Sequence, residues 1–520
     1  MTSLGDLTLR DVLKIIKQHG SGRKAAKALG VPRTTFQDRV AALKLDRFAE
    51  RKSRAAEFHA PPARGKVKRF IFSSAQAGTK VHEPFLENLE AYARHVGASI
   101  HIAGFTYNKG PYEGKKEAEY HPSIAGYITS NRINIANELL FCGEMNISPT
   151  ATSPLTGFET YTRKLWGVFP HPRIQLQSVP TMFNEPAKII MTTGAVTMPN
   201  YIQQKAGIKA EFHHMIGAVI VEVDDASRVF ARHIIAEPDG SFQDLRNYVN
   251  NTTIDTSARV EAITWGDIHA EQLDRNVVDG CFEAGGMLDQ LGPSVQFLHD
   301  VSDFTARNHH TIKNPHERFK LYAYGQDSVE QGINTVREYI QRTQRDWCDT
   351  VVVHSNHDDM LRRWLSEADY RSDPVNALFF LEQQLALYTA INEGNDDYNP
   401  LINALYGSDM SEAPPRLTFL GDSDSYKIVD DSIECGLHGH RGANGAKGNI
   451  KTFARMGSKA NIAHTHAAGI FEGIYQAGTC SKLDLGYNRG GLSSWNHSHI
   501  VTYPNGKRCI VTMQGNKWCA

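Results

Sequence analysis

The chain has 520 residues, of which 41% are hydrophobic and 22% charged, a composition typical of globular proteins that excludes wholesale disorder. At about 150 residues per domain, this length predicts roughly three domains. No stretch approaches the ~20 apolar residues of a membrane helix, and the N-terminus lacks the basic and apolar run of a secretory signal. The seven cysteines never show C-x-x-C spacing, which is typical of reduced thiols. We therefore expect a cytoplasmic protein that makes no membrane contact.

The net charge of −1 conceals an uneven distribution of charge along the chain. Residues 1–69 carry 17 lysines and arginines against 6 acidic residues, whereas the remaining residues carry 39 against 51. A basic N-terminal segment on an acidic body predicts contact with a polyanion. Composition alone leaves open the alternative that this segment is a solvated basic tail.

Residues 9–45 favour contact with a polyanion because they show the pattern of a helix-turn-helix. Apolar side chains recur at helical spacing at Leu9, Val12, Leu13 and Ile16. A short helix then closes at Gly30, and a second helix follows Val31-Pro32 and carries apolar residues on one face, namely Phe36, Val40 and Leu43. Two short helices joined by a tight turn that contains glycine predict a helix-turn-helix.

The run AAKALGVPRTTFQDR resembles the helix-turn-helix of bacterial regulators and recombinases. The resemblance places five side chains on the first half of a recognition helix, where they would reach base edges and phosphates, namely Arg33, Thr34, Thr35, Gln37 and Arg39. A small helical bundle that contacts other proteins is the alternative. We place this module at 1–48 and a basic linker, which contains Pro61-Pro62, at 49–69.

Residues 70–257 are predicted to form an α/β domain of unknown role. RFIFSS indicates a strand, HEPFLENLEAYARHVG a helix ending at Gly97, and ASIHIAGF a second strand. This βαβ unit favours a parallel sheet. The His213-His214 pair has no third ligand at usable spacing, so we interpret both histidines as structural.

From residue 258 onward, polar clusters directly follow apolar, strand-like runs. The clusters contain Asp267 and His269, then Asp300 and Asp303, then Asn356, His357 and Asp358, then His438 and His440, and finally His464 and His466. Residues two apart on a strand point to the same side, so the first two side chains would converge. Sites in α/β folds lie at the carboxyl ends of strands, where these clusters are expected.

In order along the chain, the clusters read D-x-H, D-x-x-D, N-H-D, H and H-x-H. This series resembles the motifs of the calcineurin-like metallophosphoesterase superfamily, which read GDxH, GDxxD, GNH[DE], H and GHxH. The resemblance covers residues 258–520 and implies a two-sheet sandwich flanked by helices. Three motifs lack the glycine that the family has next to a ligand, namely HDVSD, SNHD and AHTH. The absence of these glycines leaves open how the backbone turns beside the ligands. The long spacing from Asp300 to Asn356 implies one insertion, and 361–432 form another, a candidate cap or subunit contact.

The resemblance implies two divalent metal ions. Ligands from Asp, His and Asn without cysteine suit Mn²⁺, which we expect, with Fe²⁺, Zn²⁺ or Mg²⁺ as alternatives. One ion would be held by Asp267, His269 and His466, the other by Asn356, His438 and His464, with Asp300 between them. His438 is preferred to His440 because it lies closer to the preceding strand, which leaves His440 to face substrate.

The same resemblance makes His357 the general acid, oriented and kept protonated by Asp358. Asp303 and His309 are candidate substrate contacts, although a structural role for the cluster around His309 is an equal alternative. The C-terminal segment predicts a hairpin around Asn505-Gly506. GANGAKGN at 442–449 lacks the order of a phosphate-binding P-loop, so we interpret it as a loop beside the metals.

A two-metal phosphoesterase core predicts phosphate ester hydrolysis without selecting the substrate. A basic helix-turn-helix would bring duplex DNA to the enzyme, which favours a nuclease. The segments FIFSSAQAGTKVHEPFLENLEAYARHVGA and MTTGAVTMPNY resemble phage early-protein DNases, which implies destruction of host DNA in the host cytoplasm with little sequence preference. A phosphomonoesterase or cyclic-nucleotide phosphodiesterase, and a DNA-binding regulator with a metal-binding domain, remain alternatives. A homo-oligomer is a further candidate assembly.

Overall fold

The computed structural model describes residues 7, 9–43, 67–107, 118–182, 185–309, 312–486 and 488–520. Within these ranges the chain is a mixed α/β protein with several sheets, in agreement with the predicted fold class. Most of the predicted linker at 49–69 lies outside the described residues. None of the described helices is both long enough and apolar enough to cross a membrane.

The N-terminal segment contains three helical stretches, Leu9–His19, Gly22–Ala28 and 33–43. They enclose a small core formed by Val12, Ala25, Ala26 and Phe36. The hydroxyl of Ser21 begins the second stretch by accepting a hydrogen bond from the amide of Lys24 at 3.3 Å. Gly30, at φ +67°, allows the reversal after it. The helices and the turn that the apolar spacing predicts are therefore present.

A five-stranded sheet follows, in the order Val229–Ile235, Gly217–Val223, Lys68–Gln76, Ala98–Phe105 and Ile128–Thr129. The third and fourth strands pair in parallel, and the helix Glu83–Val96 connects them. That helix ends at Gly97 in the left-handed conformation, at φ +71°. The predicted βαβ unit is thus confirmed. A small antiparallel sheet, Phe242–Asp244, Asn247–Asn250 and Thr253–Asp255, lies beyond it, and the helix Lys205–Phe212 precedes Gly217.

A six-stranded sheet is built from the second half of the chain, in the order Leu417–Phe419, Asp349–Val353, Val295–His299, Ala262–Thr264, Ser498–Thr502 and Arg508–Thr512. The first four strands are parallel and the last two form the predicted hairpin around Asn505-Gly506. One face of this sheet packs on helices, which are Arg275–Phe282, Met287–Leu291, Val329–Thr343, Met360–Glu367, Ala377–Asn392 and Pro400–Tyr406.

A ten-stranded sheet packs against the other face, where Phe297 and Val353 meet Ile428 and Ile433 in one buried cluster. Its order is Lys427–Ile428, Ile433–Glu434, Lys459–Ile462, Ile474–Gln476, Gly469–Phe471, Leu176–Val179, Lys188–Thr192, Trp166–Phe169, Leu139–Cys142 and Arg132–Ile135. Ile470 pairs with Leu176, so backbone hydrogen bonding runs across the boundary predicted at residue 257. Likewise, the strand Leu417–Phe419 lies inside the predicted insertion 361–432 and extends the six-stranded sheet.

Arg232 is buried and joins three strands through two carboxylates. Its Nε donates to Asp244 Oδ1 at 2.6 Å, and its Nη1 donates to Glu222 Oε2 at 2.7 Å. Burial disfavours the ionised form of Glu222, but the guanidinium groups of Arg232 and Arg69 outweigh burial and hold the pKa of this carboxyl below its usual range.

Replacing Arg232 with Met should lower the free energy of unfolding by about 3–5 kcal/mol at neutral pH, because both carboxylates stay buried without their partner. Since the pKa of Glu222 is depressed in the folded protein, this stabilisation is present above the ordinary carboxyl pKa and is lost as the pH falls through the folded value. Urea titrations at several pH values measure both effects. The exposed Arg371→Met is the control, expected within about 0.5 kcal/mol of the parent; equal urea midpoints for R232M and the parent would contradict the assignment.

Candidate metal centre

Six of the seven predicted ligands gather in two groups where the carboxyl ends of parallel strands from the two large sheets meet. The strands and the residues that follow them are Ala262–Thr264 with Asp267 and His269, Val295–His299 with Asp300, Asp349–Val353 with Asn356, Ile433–Glu434 with His438, and Lys459–Ile462 with His464 and His466. Side chains far apart in sequence therefore come together at one edge of the sandwich, as expected for an α/β site.

One group contains Asp267, His269, Asp300 and His466, all buried, with one ligand atom from each lying within 4.8 Å of the others. The Nε2 atoms of His269 and His466 are 3.0 Å apart. His466 Nε2 is also 3.2 Å from Asp267 Oδ2, and His269 Nε2 is 3.6 Å from Asp300 Oδ2. Imidazole nitrogens that face each other among carboxylates form a donor set suited to a divalent cation.

A second group contains Asp300, His438 and His464, again with ligand atoms within 4.8 Å of one another. His438 Nε2 is 3.3 Å from Asp300 Oδ2, and Asp300 is thus shared by both groups. The ring of His440 lies beside His438, with 5.3 Å between centroids. The geometry therefore places His438, rather than His440, against the shared carboxylate.

Several buried polar atoms in these groups have no hydrogen-bond partner among the described residues. They include Asp267 Oδ2, Asp300 Oδ1 and Asn356 Oδ1. Buried polar atoms in folded proteins are nearly always hydrogen-bonded, so each such atom calls for a further partner. Cations would satisfy all three oxygens at once, and the residues present fit two divalent ions.

Four of the predicted ligands adopt left-handed backbone conformations that are uncommon outside glycine. They are His269, Asp300, His464 and His466, at φ of 49°, 47°, 76° and 57°. Such conformations cost about 1–3 kcal/mol each and cluster at functional sites. The residues that stand in place of the family glycines, His299, Ser355 and Ala463, do not have positive φ. The sharp turns are therefore made by the ligands themselves, which resolves the turn geometry questioned by the sequence.

Gly266, directly before Asp267, is required by a close backbone approach. A Cβ atom at this position would lie 2.5 Å from the carbonyl carbon of Gly478. The amide of Asp267 donates to the carbonyl of Gly478, and the hydroxyl of Thr479 donates to the carbonyl of Asp267 at 2.8 Å. This contact fixes the backbone that carries the first ligand.

His357 lies edge-on to His269, with 4.6 Å between ring centroids, and groups with His269 and Asp303. Burial lowers the pKa of His357 to about 4, against the opposing charges of Asp300 and Asp303. Asp358 instead accepts a hydrogen bond from the hydroxyl of Ser355 at 2.8 Å, and His357 Nδ1 has no hydrogen-bond partner in the part of the chain that the structure describes. The predicted pairing of Asp358 with His357 is therefore corrected, because the turn at Ser355 directs the Asp358 carboxylate back into its own loop.

Asp303 contacts a candidate ligand and also lines a large cavity beside the centre. Its Oδ1 is 3.2 Å from His269 Nδ1, and its Oδ2 accepts a hydrogen bond from the hydroxyl of Thr305 at 2.6 Å. A carboxylate at Nδ1 orients the ring so that Nε2 points into the cluster. The structure thus places Asp303 beside the ring of His269, and the substrate contact suggested by the sequence stays a prediction.

Two further residues support the centre and were missed by the sequence motifs. Glu271 accepts hydrogen bonds from the amides of Asp303 and Phe304, at 2.6 and 2.8 Å. Burial, together with the charge of Asp303, raises the pKa of Glu271 to about 7. His299 Nδ1 lies 3.4 Å from His438 Nδ1. The only sequence signal for either residue is its position next to a motif. Glu271 comes two residues after His269, and His299 comes directly before Asp300.

The other predicted residues lie at the margins of the centre or away from it. His440 is half-buried, burial lowers its pKa to about 4, and neither ring nitrogen has a hydrogen-bond partner among the described residues. His309 is exposed.

The remaining predicted residues lie away from the centre. In the N-terminal segment, Arg33, Thr34, Thr35 and Gln37 are exposed and Arg39 is half-buried. His214 is held by Tyr201 and the carbonyl of Thr197, which supports its structural interpretation.

Comparison with known proteins identifies one relative. Protein A1 of Escherichia phage T5 is 39% identical over 467 residues, which cover 87% of this chain and 83% of that protein. The similarity therefore extends beyond residues 258–520 into the first half of the chain. No protein-family model and no solved structure matches the chain.

Proposed function

We propose that this chain, which belongs to the family of Protein A1 of Escherichia phage T5, is a metal-dependent deoxyribonuclease. The observation that carries the proposal is Asp300, a buried carboxylate shared by two clusters of histidines and carboxylates. Asp267, His269 and His466 would hold one cation, and Asn356, His438 and His464 the other, with Mn²⁺ as the expected ion. When bound, the two cations supply an activated water and a clamp on the phosphoryl oxygens.

The chain's own residues orient the reacting groups. Asp303 fixes the ring of His269 through Nδ1, and Trp495 packs edge-on against the ring of His466 at 4.2 Å, which shields it from water. His357, whose ring lies edge-on to that of His269 at 4.6 Å, is the proposed acid for the leaving oxygen. Burial lowers its pKa to about 4 against the opposing charges of Asp300 and Asp303. These contacts support an acid and a ligand set held in fixed positions before substrate arrives.

DNA is the proposed substrate because a basic helix-turn-helix precedes the centre. Arg33, Thr34, Thr35 and Gln37 are exposed on the helix at 33–43, where they would meet phosphates and base edges. A tethered DNA-binding module raises the local concentration of substrate. The relative is a phage protein. For a phage enzyme we propose the degradation of host DNA, for which phosphate contacts and little sequence preference suffice.

The test is incubation of the purified protein with supercoiled plasmid, with either Mn²⁺ or EDTA. We expect cleavage with Mn²⁺ and none with EDTA. Intact plasmid together with turnover of bis(p-nitrophenyl) phosphate would replace the nuclease with a small-molecule phosphodiesterase. Inactivity on both substrates would leave a DNA-binding regulator.

Arg33→Glu separates recruitment from chemistry in the same assay. We expect plasmid binding to weaken about tenfold at physiological salt, with a shallower salt dependence, because a phosphate contact becomes a repulsion. Hydrolysis of bis(p-nitrophenyl) phosphate should not change, since the substitution lies outside the centre. The matched control is the exposed Arg371→Glu. Equal plasmid affinity for R33E and R371E would argue against DNA contact by this helix.

A further inference from the structure

The helix Pro315–Ala323, in the long stretch between Asp300 and Asn356, has no buried residue. Phe319 and Tyr322 are 69% and 64% exposed. Residues three apart share one face of a helix, so the two rings lie side by side in solvent. Aromatic side chains of this size normally contribute most to cores and interfaces. Their exposure on a helix that buries nothing calls for a binding partner.

The opposite face of this helix forms one wall of a cavity that leads to the metal centre. Glu317, Lys320 and Leu321 line the cavity, which has a volume of about 870 Å³. Asp303 and Asn308 line the same cavity on the side of the centre. The helix and this cavity therefore lie between the exposed aromatic face and the proposed catalytic cluster.

The charge of this region differs from that of the surrounding body. Residues 313–324 contain three basic side chains and one acidic side chain, although the chain beyond residue 69 is acidic overall. The acidic residue, Glu317, is paired with Lys320 at 3.6 Å. Across the cavity lie Lys482 and Arg489, the latter paired with Asp484, together with the carboxylates of Asp274 and Asp303. Arg318 lies 3.9 Å from Asp373 and stays partly exposed. A basic segment with exposed aromatics beside a catalytic cavity suits a flexible polyanion that carries planar bases.

We propose that this helix binds an unpaired DNA strand, with bases stacked on Phe319 and Tyr322 and phosphates near Arg318, at the edge of the aromatic face. The inference rests on the proposed nuclease activity and names its substrate class, DNA that contains or exposes a single strand beside the centre. Stacking on aromatic rings tolerates any base, which agrees with cleavage of low sequence preference. Arg318 lies one turn before Tyr322, so phosphate and base contacts fall on adjoining parts of the helix surface.

The experiment compares the full chain with the double variant Phe319→Ala/Tyr322→Ala in EDTA, so that no strand is cut. Fluorescence anisotropy measures the affinity for oligo-dT and for a duplex of equal length. We expect the double variant to bind oligo-dT at least about tenfold more weakly and the duplex unchanged, because the helix-turn-helix serves the duplex. Phe319→Trp/Tyr322→Phe should restore the affinity for oligo-dT. Tyr388→Ala, which removes another exposed ring (62% exposed), is the matched control.

Unchanged affinity for oligo-dT in the double variant would overturn the inference. A changed oligomeric state by light scattering, with oligo-dT affinity unchanged, would overturn it in favour of a contact with a second copy of the chain. Cleavage of supercoiled plasmid with Mn²⁺ by the parent and the double variant reports separately on the proposed function. Loss of oligo-dT binding in the double variant, together with plasmid cleavage by the parent, supports both proposals. Oligo-dT binding that depends on the two rings, without plasmid cleavage by the parent, supports the stacking helix and rejects the nuclease.

Discussion

Asp300→Asn is expected to reduce Mn²⁺-dependent hydrolysis at least about a thousandfold, because each ion in a two-metal site stabilises the transition state by several kcal/mol. Asp300 is shared by both ligand groups, at 3.6 Å from His269 Nε2 and 3.3 Å from His438 Nε2. Asparagine has the same shape and tolerates the left-handed backbone at φ +47°, so the variant removes the charge and keeps the fold. The kinetics are measured on plasmid and on bis(p-nitrophenyl) phosphate at saturating Mn²⁺.

Thermal melting gives a readout of the same variant that does not depend on activity. Ions that bind only the folded protein raise the melting temperature with concentration, so Mn²⁺ should stabilise the parent and not D300N. Without metal, D300N should melt below the parent: although burial disfavours the ionised form of Asp300, the charges of His438 and His357 hold its pKa well below its usual range, and the variant loses this stabilisation. Exposed Asp255→Asn is the control. Full activity of D300N would refute the site assignment.

His357→Asn should slow hydrolysis of DNA and of an activated ester to different extents. A general acid contributes about 10²–10⁴-fold when the leaving oxygen needs a proton, as the sugar oxygen of DNA does. Nitrophenolate leaves without a proton, so turnover of bis(p-nitrophenyl) phosphate should fall by less than about tenfold. The measurement is kcat on both substrates at saturating Mn²⁺.

Asp358→Asn is the matched control for this split, because Asp358 bonds Ser355 and not His357. We expect D358N to change the two rates by the same factor. Equal slowing of both substrates in H357N would instead make His357 a structural residue or a ligand. If D358N slowed hydrolysis of DNA more than turnover of bis(p-nitrophenyl) phosphate, that result would support the pairing of Asp358 with His357 that the resemblance implied.

The local elements could be predicted from the sequence because their signals are local. The helix that ends at Gly97 and the hairpin at Asn505-Gly506 each follow from a short apolar pattern with a glycine at its turn. The pairing of Leu176 with Ile470 could not be predicted. It joins strands of three and four residues almost three hundred positions apart, and such short runs carry too little alternation to specify a partner.

The residues that gather in the two candidate groups could also be predicted, since the motifs specify them by their order along the chain. The supporting contacts could not. Whether Asp303 faces substrate or His269 depends on the direction of its side chain after the strand, which the left-handed turn at Asp300 sets. The same holds for Asp358, whose direction is set by the hydrogen bond from Ser355.

The ten-stranded sheet also limits how the chain can be divided. If residues 258–520 were produced alone, the strand Gly469–Phe471 would lose its neighbour Leu176–Val179 and present an open row of backbone donors and acceptors. Open sheet edges recruit strands from other molecules and promote aggregation. Residues 258–520 therefore depend on the middle region for solubility, and residues 70–257 act at the least as the cover that keeps this half of the chain from polymerising.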